Sequence, residues 1–257
     1  MNLFKISLVC LLFISKANAL VLKKNVVHNI WEKSLLNICF GHSSMDQDII
    51  RPFSQFINDK KIILADFNEE YKEIIKETLE AEFSEETTKV HFKILGSCGR
   101  NIKHDIIIQP TSEKKDNGRY NSQAARNADA KKAIVFINIK YDLNYSIDKE
   151  AVDKTHNLKS IFVHELVHTF GVSHEFFHYD FLNDKLCKEV NYVKKYSGSN
   201  TNLKHKIKRF EDKYFSPYGY DSKSIMSYCY IHHNGFWRSE NEILSPMDKD
   251  AIYFIFM

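Results

Sequence analysis

Residues 164–175 read HELVHTFGVSHE, and they put three histidines and two glutamates inside twelve positions. His164 and His168 are four apart, so one turn of helix stacks both imidazoles on the same face. Zinc takes nitrogen ligands at about 2.0–2.1 Å in a tetrahedron, and two histidines so placed supply two corners. Glu165 stands beside the first ligand, too far round the helix to chelate with the pair. There it can take the proton of a water activated by the metal. A third ligand from the next turn of the same face would crowd the metal. Gly171, one of only 8 glycines in 257 residues, lets the chain turn out of the helix at positive φ, so that His174 reaches a third corner. The fourth corner is left for water, which is the mark of a catalytic rather than a structural zinc.

HExxH by itself is a modest signal; the extended HExxHxxGxxHE is a specific one. The stretch resembles the zinc-binding consensus of the metzincin metallopeptidases, and Glu175 directly after the third histidine resembles the astacin family in particular. Metzincins also carry a tight turn around a methionine below the metal, and Ser224-Ile225-Met226-Ser227-Tyr228 is similar to that Met-turn. In astacins and serralysins the tyrosine two places after the methionine approaches the zinc and stabilises the tetrahedral intermediate; Tyr228 stands in that place. Leu244-Ser245-Pro246-Met247-Asp248 resembles the start of the closing helix in many metzincins. Two positions depart from the astacin pattern: Val172 replaces a phenylalanine, and Ser227 replaces a histidine and is more like serralysins. The resemblance implies an α+β fold, with an upper lobe of twisted mixed sheet and two long helices over a smaller, irregular lower lobe. It implies one zinc per chain on His164, His168 and His174, with Glu165 and Tyr228 catalytic. Gly171, Glu175 and Met226 then have supporting roles.

The elements that must position these groups are visible as periodicities. A helical pattern runs from about Lys149 to Phe170 and carries the first two histidines. Asp66-Phe-Asn-Glu69 has the form of a capping box, and Tyr71, Ile74, Ile75, Leu79 and Phe83 follow at helical spacing. Leu36–Phe40 is a short apolar run suited to a first strand. Val90, Phe92 and Ile94 alternate with polar residues, and 105–109 and 133–138 are β-branched runs suited to buried strands. Residues 111–127 read as polar and turn-rich, residues 178–224 as a polar segment with little sheet, and 248–256 as a closing helix. The upper lobe is expected over about 20–174 and the lower over about 175–257.

Residues 1–19 have the form of a signal peptide: Lys5, an apolar run from Ile6 to Ile14, and Ala17-Asn18-Ala19 as a cleavage site. The reading therefore expects an exported catalytic domain over 20–257, secreted or periplasmic, with no stable membrane insertion after cleavage. Without Lys5 and Lys16 the net charge falls from +3 to +1, which gives no electrostatic case for nucleic acid. A monomer acting on a peptide or protein substrate is the expected state. His178, His232 and His233 are read as solvated or hydrogen-bonded histidines.

Cys39, Cys98, Cys187 and Cys229 remain after the apolar run, an even number that suits two disulfides in an exported chain. Spacing alone permits three pairings. Pairing within lobes, Cys39–Cys98 and Cys187–Cys229, closes shorter loops than either crossed arrangement and leaves the cleft without a covalent bridge. Two rival functions stay open at this level: a zinc-binding module without turnover, and a zinc hydrolase acting on a non-peptide amide or ester. Glu165 argues against the first, because metal binding alone does not need that carboxylate.

Overall fold

The computed structural model describes residues 21–23, 31–60, 62–114, 122–127, 130–140, 143, 154–173, 214–215, 221, 223–227 and 243–257. Along the chain these form β1 (Val21–Lys23), β2 (Leu35–Phe40), α1 (Gln47–Ile50), a 3-10 turn (Arg51–Phe53), α2 (Ser54–Lys60) and β3 (Ile62–Leu64). Next come α3 (Glu69–Glu82), β4 (His91–Ser97), β5 (Ile106–Lys114), β6 (Gln123–Asn127) and β7 (Lys132–Asn138). The remainder comprises α4 (Lys154–Thr169), β8 (Val172–Ser173), β9 (Tyr214–Phe215) and α5 (Pro246–Ile255). The fold is α+β around a mixed sheet.

That sheet runs in the order β4-β2-β5-β7-β6, with β3 paired to β5. The pairs β2–β4, β2–β5 and β5–β7 are parallel; β6 is antiparallel to β7, and β3 to β5. Parallel strands at the centre of a sheet are covered on both faces, which explains the unbroken apolar run Ile106-Ile107-Ile108. Alternate residues of the run enter different cores. Ile106 and Ile108 join Leu36, Ile38, Val135 and Ile137 against Ile75 and Leu79 of α3 and Leu158, Phe162 and Leu166 of α4. Ile107 joins Cys39, Ile134 and Phe136 against Ile49, Ile50 and Phe53. Each large side chain so buried contributes about 1.5–3 kcal/mol. Within the second core Cys39 is bonded to Cys98, with the two Cα atoms 5.0 Å apart.

The helix α4 is buried on almost every side. Apolar Leu158, Ile161, Phe162, Val163, Leu166 and Val167 share burial with Asn157, Ser160, His164, Glu165 and Thr169. Polar groups inside a packed helix need fixed partners, and this helix carries the residues of interest. It is described from Lys154; residues 149–153, where its pattern begins, lie outside the described residues.

Three sequence expectations are corrected. The helix after Asp66 begins later, and its cap is Asn68, whose side chain accepts from the Tyr71 amide at 2.8 Å. Asp66 is engaged elsewhere, taking the Ser43 amide at 2.9 Å and the Ser43 hydroxyl at 2.6 Å. Residues 111–127 are not simply turn-rich: Thr111–Lys114 extends β5, and Gln123–Asn127 is a strand. The closing helix starts at Pro246, two residues before Asp248. Residues 1–19, Cys187, Cys229 and most of the expected lower lobe lie outside the described residues. Among the described residues no helix is long and apolar enough to cross a membrane.

Candidate metal centre

His164 and His168 lie on successive turns of α4 with ring centroids 4.8 Å apart and planes nearly perpendicular, at 88°. Each ring is oriented by a backbone carbonyl. The Nδ1 of His164 lies 2.9 Å from the carbonyl of Ile225, and that of His168 lies 2.8 Å from the carbonyl of Val172. A carbonyl only accepts, so Nδ1 carries the proton and, in a neutral ring, the lone pair is on Nε2. Burial and the neighbouring His168 push the His164 ring down to about 3, so it is neutral at physiological pH. An oriented, neutral imidazole with its other nitrogen committed to a carbonyl is the form in which histidine ligates a metal.

The end of α4 is built to turn sharply. The Phe170 amide donates to Val167 and the Gly171 amide to His168, both at 3.0 Å. The Thr169 hydroxyl returns to Leu166 at 2.6 Å, and the Trp31 indole donates to the Thr169 carbonyl at 3.2 Å. Gly171 then adopts φ 90°, the left-handed value that a Cβ would strain. The chain leaves as β8, paired antiparallel with β1, so Ser173 lies opposite Val21 immediately before His174. This short pairing fixes the backbone through Val172 and Ser173.

Glu165 is buried on the same helix as the two imidazoles. Met226 is also wholly buried, in the turn 224–227 where the Ser227 amide donates to Ser224 at 2.9 Å. The structure thus brings His164, Glu165, His168, Gly171 and the Met226 turn together. His174, Glu175 and Tyr228 lie outside the described residues. Among the described residues no group of three or more His, Cys, Asp or Glu side chains is placed to hold a metal. The pair in hand suits zinc by donor chemistry: two imidazoles, each with Nδ1 fixed from behind by a carbonyl.

Sequence reading missed the groups behind the Met226 turn. Asp248 is buried and accepts from the Ser224 hydroxyl at 2.6 Å and from the amides of Ile225 and Ser245 at 3.0 Å. Asp221 accepts from the Ser245 hydroxyl at 2.6 Å. The signal was available in part: Ser245-Pro-Met-Asp248 has the spacing of a capping box, and it forms one. Its connection to the turn, 23 residues away, has no local signature. Comparison with protein-family models, curated proteins and solved structures returns no match to this chain.

Proposed function

We propose that this protein is an exported zinc-dependent endopeptidase of the metzincin kind, taking one zinc on His164, His168 and His174. The observation that carries the reading is the pair His164 and His168. They stack on successive turns with both Nδ1 atoms committed to carbonyls, just ahead of a glycine at positive φ. Zinc bound there would supply the Lewis acid that polarises a scissile carbonyl.

The chain's own residues supply the rest. Glu165 receives the proton of the attacking water and returns it to the leaving amine nitrogen. Tyr228 donates its hydroxyl proton in a hydrogen bond to the developing oxyanion. The apolar packing around α4 holds the imidazoles in place and keeps bulk water from behind them. The substrate is a peptide or protein; the near-neutral chain left after export gives no case for nucleic acid, and the protein acts as a monomer.

Metal analysis of the purified chain tests the ligand set. One zinc per chain is expected, lost on His164→Ala, His168→Ala or His174→Ala. A folded variant that keeps stoichiometric zinc removes that histidine from the set.

A further inference from the structure

Asp248 makes more hydrogen bonds than capping α5 requires. The Ser245 amide and the reciprocal bond from the Asp248 amide to the Ser245 hydroxyl complete the capping box. The carboxylate's two other bonds leave the helix and hold the turn 224–226: Oδ1 takes the Ser224 hydroxyl, and Oδ2 takes the Ile225 amide. Ser224 Oγ in turn accepts from the Met226 amide at 3.0 Å. Asp221 braces the same unit, taking the Lys223 amide at 2.8 Å and the Ser245 hydroxyl. The carbonyl of Ile225, the residue whose amide Asp248 holds, is the one that faces Nδ1 of His164. One peptide residue therefore links a buried carboxylate on the closing helix to the ring that would ligate the metal.

We infer that Asp248 is a positioning residue for the metal centre. By fixing the Ile225 backbone, it sets the orientation and the protonated nitrogen of His164. The inference rests on the zinc reading above and extends it to a part of the fold that touches no metal. Outer partners of metal-bound histidines are worth about 10–100-fold in metal affinity, and here the partner is the carbonyl of a residue whose amide donates to a carboxylate. Asp248→Asn breaks the arrangement with little change in shape. The Ile225 and Ser245 amides can only donate and claim the asparagine's single oxygen, so its NH2 faces Ser224 Oγ; the hydroxyl must then act as acceptor there, and the bond it donates to the carboxylate is lost. Asp250, two residues on and exposed, provides a control of equal charge change.

The test is zinc affinity by competition with a chromophoric chelator, together with the visible spectrum of the cobalt-substituted protein. Both are measured on wild type, Asp248→Asn, Ser224→Ala and Asp250→Asn, each normalised to its folded fraction. The expected result is a loss of roughly tenfold or more for Asp248→Asn, a smaller loss for Ser224→Ala, and altered cobalt bands in both. Asp250→Asn should match wild type. A purely structural role would lower the folded fraction while leaving the spectrum of the folded protein unchanged. Should Asp248→Asn fail to fold, Ser224→Ala decides by the same spectrum. Wild-type affinity and bands in the folded variants overturn this inference and leave the zinc reading standing. A wild-type chain that takes up no metal overturns both.

Discussion

At the scale of single residues, holding a metal and doing chemistry are separable by substitution. Glu165 is buried beside two histidines whose rings are fixed from behind by carbonyls. Glu165→Gln keeps the shape but removes the proton acceptor. It should retain zinc and fold while losing about 10²–10⁴-fold in peptide hydrolysis; near-normal turnover in the zinc-loaded variant would assign the base elsewhere. Gly171 makes a different demand, on the backbone alone. Its φ of 90° costs a residue with a Cβ on the order of 1–2 kcal/mol. Gly171→Ala should therefore lower the unfolding temperature and also weaken zinc binding, because the strain falls between the second and third histidines. A variant as stable and as zinc-tight as wild type would show that the turn needs no glycine.

At the scale of elements, legibility followed where the forces are local. The central strands were legible because parallel, doubly covered strands are apolar on both sides, as at 105–109 and 133–138. The edge strand β6 was not: Gln123-Ala-Ala-Arg-Asn127 lacks β-branched residues and is only half-buried, so pairing with β7 rather than propensity makes it a strand. Asp66, read from the sequence as the cap of α3, is instead taken up by Ser43, 23 residues away, a contact with no local signature, and Asn68 caps the helix. The His164–His168 spacing was legible because it is local to one helix, whereas the Asp248 support depends on a turn distant in sequence. Two element-scale predictions follow from these contacts. Cys39–Cys98 ties the end of β2 to the segment after β4 across a separation of 59 residues. Replacing both cysteines by alanine should cost about 4 kcal/mol in denaturant unfolding, and an unchanged midpoint would contradict that role. Burial and the nearby Asp221 push the Asp248 carboxyl up to about 6. Between about pH 4 and pH 6 the folded chain then keeps a proton that the unfolded chain has released, so this group's contribution to stability falls as pH rises through that window. Relative to Asp248→Asn, the metal-free wild type should lose about 2 kcal/mol from pH 4 to pH 7; a flat difference would place the carboxyl near its ordinary value.

At the scale of the whole molecule, the mixed sheet and α3 hold α4 on one side, while the 224–227 turn and α5 support it through His164 and Asp248. The central claim is that this frame serves zinc-dependent cleavage of peptide bonds. Digestion of a denatured protein mixture with the purified chain, with and without a zinc chelator and followed by sequencing of the new termini, tests it most directly. The account predicts new internal termini from the untreated protein, none after chelation, and recovery when zinc is restored. Cleavage that persists undiminished under the chelator, or no new termini from a zinc-loaded chain, would contradict it.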